Sequence, residues 1–271
     1  MPDWLLCLRY VLSGDHVASV DSIDVRATGS NLERLRSCTN LEMLTLLNPK
    51  VSDADLVHLR ELRTIQFLNL SYTQVSGVGL DQLDGLPKLQ LLVLRDTQVT
   101  DSGLEHIKGL HALELLVLNN TQISDAGLEN LKGLAGLKGI NLSKTKVTDA
   151  GLEHLKGLTG LRWLWLDDTQ VTDAGIGHLD GLSRLDSLYL VNTQVTDVSL
   201  EHLKRFKSLK GLDLKKTRVT DTGLEHLKGL TALELLDVGD TRVTDDGILR
   251  LKQALPNCQI NCYRTPPGSS P

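Results

Sequence analysis

Apolar positions recur along the chain with a period of 24 residues. Leu41, Ile65, Leu89, Leu113, Leu137, Leu161, Leu185, Leu209 and Leu233 mark the first position of each unit, and Asn257 keeps the register. Three residues after each stands a second apolar residue, Leu44 through Ile260, and two residues further a third, Leu46 through Cys262. The unit reads LxxLxLxxTxVTDxGLxxLxGLxx. Successive side chains of a strand point to opposite faces, so the second and third apolar residues share one face and the x residues beside them take the other. Later in each unit, leucines such as Leu152, Leu155 and Leu158 recur at a spacing of three, which predicts the inward stripe of a short helix or 3-10 segment. Asp149 is expected to supply the capping side chain that starts this helix, and Gly157 a left-handed stop after it; most units repeat the pair.

One unit cannot bury both stripes alone. Stacked units form a continuous core between a parallel sheet and a layer of helices. Strands sit about 4.8 Å apart and packed helices about 8–10 Å, so the stack curves with its strands inside. The registered LxxLxLxx pattern resembles the leucine-rich repeat family, and its 24-residue form is similar to bacterial members related to the ribonuclease-inhibitor-like group. The resemblance covers residues 20–263. It implies an α/β fold: a curved solenoid, or horseshoe, with a concave parallel β-sheet and short α and 3-10 helices on the convex side.

One departure from the family pattern is regular. Thr73, Thr97, Thr121, Thr145, Thr169, Thr193, Thr217, Thr241 and Thr265 occupy the place where the family usually has Asn or Cys. A threonine there is expected to be buried, with its hydroxyl donating to a carbonyl of the neighbouring turn. Threonine columns also occur on ice-binding solenoids, but burial of the column argues against that use.

At the ends, Ile23 and Val25 followed by Thr28 outline one more strand, and Leu32, Leu35 and Cys38 its helix, in a unit three residues short. Trp4 to Leu12 reads as an amphipathic cap within residues 1–19, and the Pro/Gly/Ser-rich residues 264–271 as a disordered tail. The array between them reads as one domain.

Composition narrows the function classes. The chain holds 58 leucines but only nine aromatic residues, and a layer one repeat thick explains why Leu fills the core. At 41% apolar and 23% charged, with a net charge of −5, it is neither disordered nor built for a bilayer. The longest apolar run, Trp4 to Leu8, falls far short of the roughly 20 residues that span a membrane. Asp3 and Arg9 disrupt a secretory signal, which predicts a cytoplasmic location. No basic cluster suggests a nucleic-acid partner. The four cysteines lack CxxC spacing, as expected in a reducing compartment, and Cys258 and Cys262 read as small fillers, Cys262 at an inward position.

Catalytic and cofactor motifs are missing: no Gly-rich phosphate loop, HExxH or GxSxG occurs, so no cofactor is expected. His58, His106, His154, His178, His202 and His226 share one repeat position, often after a glutamate as in Glu105, Glu153, Glu201 and Glu225. Metal ligands converge to about 2.0–2.2 Å from one ion, whereas neighbours on the convex side stand about 8–10 Å apart. The column is therefore read as a repeated, solvent-facing surface residue.

The variable positions of the strands carry the stronger signal. Six of the nine aromatic residues fall on the concave face, Phe67, Tyr72, Trp163, Trp165, Tyr189 and Tyr263, where chance would place about two. Trp163 and Trp165 share a strand face, Tyr189 takes the Trp165 position on the next strand, and the three are expected to touch. Gly139, Ser187 and Gly211 are expected to leave space around the indoles. Phe67, Leu91, Val93, Leu115 and Val117 form a second, aliphatic patch, and Arg95, Arg162, Asp167, Asp168, Asp213, Lys215, Lys216 and Asp237 a mixed-sign rim. Exposed apolar clusters mark contact surfaces, and Trp and Tyr are enriched in binding hot spots. The sequence thus predicts a monomeric, non-enzymatic scaffold that binds a protein or peptide on its concave face, with no nucleic-acid or membrane partner. The alternative ligand is carbohydrate, stacked on Trp163, Trp165 and Tyr189.

Overall fold

Eleven three-residue strands pair in chain order into one parallel sheet in the computed structural model, which describes residues 41–263 together with 22–24, 32–33 and 35. The strands are β1 (Ser22–Asp24), β2 (Met43–Thr45), β3 (Phe67–Asn69), β4 (Leu91–Val93), β5 (Leu115–Val117), β6 (Gly139–Asn141), β7 (Trp163–Trp165), β8 (Ser187–Tyr189), β9 (Gly211–Asp213), β10 (Leu235–Asp237) and β11 (Gln259–Asn261). From β2 onward each residue pairs with the one 24 positions later, as Leu44 does with Leu68. The first pair is offset by 21 instead, Ser22 lying opposite Met43 (43 − 22), as a unit shortened by three requires. The expected cap at Trp4–Leu12, together with Val25, Thr28, Cys7, Cys38, Thr265 and the tail 264–271, lies outside the described residues.

The central residue of each strand from Leu44 to Leu236 is buried beneath the sheet. It meets the helical stripe, in which Leu152 and Leu155 are fully buried and Leu158 is only 1% exposed. Each such leucine contributes about 1.5–3 kcal/mol through burial, repeated in every layer. The core is aliphatic with one exception: Phe206 takes the place of Leu158 and Leu182 in its unit and is fully buried. An aromatic ring fits at that position, where the chain turns from the helical side back to the sheet.

The convex segments change from 3-10 to α-helical along the chain. They are 3-10 helices at Asp53–His58 and Val78–Gly85, single α-turns at Asp101–Leu104, Asp125–Leu128 and Asp149–Leu152, the last two continued by 3-10 turns, and longer α-helices at Asp173–His178, Asp197–Leu203, Asp221–Leu227 and Asp245–Ala254. The capping residues are Ser52, Thr100, Ser124, Thr148, Thr172, Thr196, Thr220 and Thr244, so the aspartate expected to cap is instead the first helical residue.

That aspartate reaches into the next repeat. Asp149 Oδ1 accepts the Thr172 N–H at 2.7 Å and Oδ2 accepts the Thr172 hydroxyl at 2.6 Å. The same two-bond rung joins Asp53 to Ser76, Asp101 to Ser124, Asp125 to Thr148, Asp173 to Thr196, Asp197 to Thr220 and Asp221 to Thr244. A glycine three residues after the serine or threonine of the next repeat gives the carboxylate room: a Cβ on Gly79 would lie 2.6 Å from Asp53 Oδ1, and one on Gly127 2.5 Å from Asp101 Oδ1. Ser199 replaces this glycine once, and its hydroxyl and N–H both donate to Asp173 Oδ1. One rung is missing, because Gly77 holds the aspartate position before Thr100.

Two further expectations are corrected. Threonine hydroxyls of the buried column donate within their own turn, to the carbonyl three residues back, at 2.6–2.7 Å from Thr73 to Thr241. They therefore close each turn rather than link turns. Gly157 makes no left-handed stop. Left-handed backbone lies instead just past the strands, at Tyr72, Asp96, Asn120, Lys144, Asp168, Asn192, Lys216 and Asp240, with φ between 53° and 63°. Five of these eight are Asn or Asp, the side chains that tolerate this region best after glycine.

The rungs make the fold acid-sensitive. Burial raises the Asp173 carboxyl, but hydrogen bonds from Ser199 and Thr196 outweigh it and hold the group below its ordinary 3.8. The Thr244 hydroxyl and N–H, then Arg250, likewise hold Asp221 down. A depressed folded value contributes stability that is complete above about pH 4 and is lost as the pH falls through the folded value. Asp173→Ala is expected to lower unfolding stability by about 1–3 kcal/mol at pH 7, read in urea, with the deficit shrinking below pH 4. An unchanged midpoint at pH 7 would show that the rung does not couple repeats.

Candidate functional site

On the concave face the strand register brings the outward residues into two columns. One runs Phe67, Leu91, Leu115, Gly139, Trp163, Ser187, Gly211, Leu235, and the other Asn69, Val93, Val117, Asn141, Trp165, Tyr189, Asp213, Asp237. Leu91, Val93, Leu115, Val117 and Trp165 form one hydrophobic cluster, against which Phe67, Trp163 and Tyr189 pack. The two patches expected from the sequence are thus a single cluster. Trp165 and Tyr189 stack with centroids 5.3 Å apart and planes 7° from parallel.

This cluster is not the open apolar surface that was expected. Leu91, Val93, Leu115, Val117 and Trp165 are all at most 7% exposed. Large side chains on a curved sheet's inner face converge, and here they cover one another. Nor does Gly139 leave a gap. A Cβ there would meet Leu115 Cδ1 at 2.6 Å and Trp163 Cε3 at 3.3 Å, so those side chains close over the glycine from either side. The aliphatic patch is a packed floor, and half-buried Phe67, Trp163 and Tyr189 form its accessible apolar edge.

Two aromatic rings at this edge already carry cations from the chain itself. The Arg162 guanidinium lies 5.0 Å from the Trp163 ring centroid, its Nε donating to Asp186 Oδ2 at 2.6 Å, and Arg95 lies 5.3 Å over the exposed Tyr72 while pairing with Asp96 at 2.8 Å. Tyr263 is 87% exposed. Leu235, 42% exposed, belongs to this face although the residue pattern did not single it out; its place in the Trp163 column was the available signal.

Asp167 is the most perturbed acid. Burial, then the charges of Asp213 and Asp168, push its carboxyl up to about 6, against hydrogen bonds from the Val191 N–H and the Ser143 hydroxyl. Asp213 is raised by burial and by Asp237, against its bond from the Lys215 N–H and the charge of Lys215.

Elsewhere the expected surface features change little. The histidine column is half-buried except for the exposed His178, rather than solvent-facing throughout. His202, for one, lies beside Gly177, where a Cβ would meet its Cε1 at 3.4 Å. Among the described residues no group of three His, Cys, Asp or Glu could hold a metal ion, and no helix is long and apolar enough to cross a membrane. Cys258 is buried, as expected of a small filler, whereas Cys262, expected at an inward position, is exposed.

A curved parallel sheet backed by short helices, carrying a distinct side-chain face, defines a repeat scaffold of the protein-interaction class. The family model for a leucine-rich repeat region matches residues 16–198, more than half of the chain, and the chain belongs to that family. Among solved structures it is similar to internalin C2 from Listeria monocytogenes, with a TM-score of 0.64 and 23% identity over 79% of this chain and 93% of that one. It is also similar to the internalin InlF of the same organism, at a TM-score of 0.49 and 19% identity over 97% and 95%, a likeness too low to carry an argument. The first shows the shared solenoid fold. No curated protein matches the chain.

Two stability outcomes follow from the packed floor. Trp165→Ala is expected to cost about 3–5 kcal/mol in urea unfolding, since it empties a buried, stacked position; a loss below about 1 kcal/mol would contradict the packed floor. Asp167 acts in the opposite sense. The folded chain keeps its proton to about pH 6 while the unfolded chain releases it near 3.8, so its ionisation destabilises the fold increasingly between those values and fully above them. Asp167→Asn, which keeps the bond from the Val191 N–H and can donate to the Ser143 hydroxyl oxygen instead of accepting from it, is expected to stabilise by about 1–2 kcal/mol at pH 7.5, solvent exposure reducing the roughly 3 kcal/mol of the full shift. The gain should vanish at pH 4, and a pH-independent difference would exclude charge as its cause.

Proposed function

We propose that the chain is a non-enzymatic scaffold that binds a protein or peptide along its concave sheet. The observation that carries this reading is the row of half-buried rings, Phe67, Trp163 and Tyr189, standing on a fully packed floor. A floor that cannot rearrange holds the rings in place before a partner arrives, so less conformational entropy is lost on binding. Arg162, Arg95, Tyr72, Asp167 and Asp213 surround the row with groups able to fix a partner's register.

The sugar alternative has less support from the ring geometry. Stacking on a sugar needs an open aromatic face, and with Trp165 against Tyr189 and one face of Trp163 beneath Arg162, the outer face of Tyr189 is the main one left for it. A protein side chain can meet ring edges and the Leu235 side chain without displacing either contact.

Phe67→Ser with Trp163→Ser is expected to preserve the far-UV circular dichroism while weakening binding of the partner purified from the source lysate by at least about tenfold, measured by surface plasmon resonance. Full affinity in the double variant would overturn the reading. Binding to a polysaccharide array but to no protein would replace it with the carbohydrate one.

A further inference from the structure

The packed floor ends abruptly at β9. From β4 to β8 the concave columns are filled, but at β9 the first column drops to Gly211, whose nearest side chain is Ser187, 3.1 Å from where a Cβ would lie. Beyond it the 42% exposed Leu235 rises from β10. The result is a notch over Gly211 between Ser187 and Leu235 of its own column, with the Tyr189 ring diagonal to it in the second column. Because Tyr189 stacks nearly parallel on Trp165 of β7, its opposite face is turned toward β9.

The second column changes character at the same place. Tyr189 is registered with Asp213, and Asp213 with Asp237. One oxygen of each carboxylate is tied to the following turn: Asp213 Oδ1 accepts the Lys215 N–H at 3.0 Å and Asp237 Oδ1 the Gly239 N–H at 2.8 Å. Neither aspartate forms an ion pair within the described chain, and Oδ2 of each remains without a hydrogen bond. Lys215, the nearest cation, runs along the strand past Gly239, its Cγ 3.6 Å from where a Cβ there would stand. Burial, then the charge of Asp237, raises the Asp213 carboxyl against its bond from the Lys215 N–H and the charge of Lys215.

The rest of the face shows how such a site is completed. Trp163 and Tyr72 each lie beneath an arginine that is also paired with a carboxylate, Arg162 with Asp186 and Arg95 with Asp96. Tyr189 has the ring and the carboxylates but no arginine. We infer that the notch over Gly211 receives an arginine or lysine side chain of a basic, extended partner segment, lodged between Tyr189 and Leu235 and paired with Asp213 and Asp237. An alkyl stem fits the apolar walls while the cationic head meets the ring face and the unbonded oxygens. This rests on the concave-face reading above and adds to it the charge of the partner.

Three acetylated, amidated peptides test it, each of three repeats: Arg-Leu, Gln-Leu and Glu-Leu. Isothermal titration with the full chain is expected to show the arginine peptide binding at least about tenfold tighter than the glutamine peptide, with the glutamate peptide weakest. Asp213→Asn combined with Asp237→Asn, checked by circular dichroism for an intact fold, should erase the arginine preference. Equal binding of the arginine and glutamine peptides, no binding of either, or a preference that survives the double Asn variant overturns the inference. The two readings fail separately. Equal binding of all three peptides that is lost in Phe67→Ser/Trp163→Ser sinks the basic partner and leaves the concave surface standing. An arginine preference unaffected by those serines keeps the notch and removes Phe67 and Trp163 as anchors.

Discussion

Every feature of this protein follows from backbone pairing between strands that are one repeat apart. Each strand N–H and C=O must find a partner, and the neighbouring repeat supplies it at about 4.8 Å. That spacing converts a position within the repeat into a spatial column: leucines under the sheet, threonines closing the turns, and variable residues above. The convex side has a thinner ladder, one backbone bond per repeat before the helix starts, as from the Gln98 N–H to the Val75 carbonyl. Its repeats are also joined by the aspartate that reaches the next cap and by the glycine that lets it approach. The difference in natural spacing between the two sides bends the sheet, and bending crowds the concave columns.

Crowding decides what this surface can offer. Side chains that a flat sheet would expose are driven together, so the aliphatic residues of β4 and β5 form a second core. Only residues at its margin remain available, and there the chain has placed rings, arginines and unpaired carboxylates. The contact chemistry depends less on which apolar residues are present than on where the floor stops, since a missing side chain at Gly211 creates relief that the adjoining bulky residues cannot.

The arrangement of the core could be read from the residue pattern because periodicity maps directly onto depth: Leu44 and Leu46, Leu152 and Leu155 are buried where the spacing places them. The Trp165–Tyr189 contact was legible for the same reason, being a matter of register. Exposure was not. Val93 and Trp165 stand at outward positions, and only the size of their neighbours across the curve determines that they are covered. The aspartate was legible as a helix-start residue, but its partner lies 23 residues on in the chain, and a local pattern cannot show that a carboxylate faces the next repeat. The glycine after it looked like a packing residue without showing what it packs against. Cys262 had the register of a buried position and is exposed.

The missing rung at Gly77 bears on how such an array comes apart. A solenoid's stability is close to a sum over nearest-neighbour interfaces, and its unfolding boundaries settle where that coupling is smallest. Between the repeats holding Gly77 and Thr100 there is no carboxylate bridge, and the two backbones meet through facing glycines: a Cβ on Gly77 would lie 2.7 Å from the Gly103 backbone. Apolar burial continues across this junction, but the polar link present on either side of it does not. The array is therefore regular in register and non-uniform in cooperativity, with a built-in seam that leaves Phe67 with the first repeats and sets Trp163, Trp165 and Tyr189 in the long block beyond it.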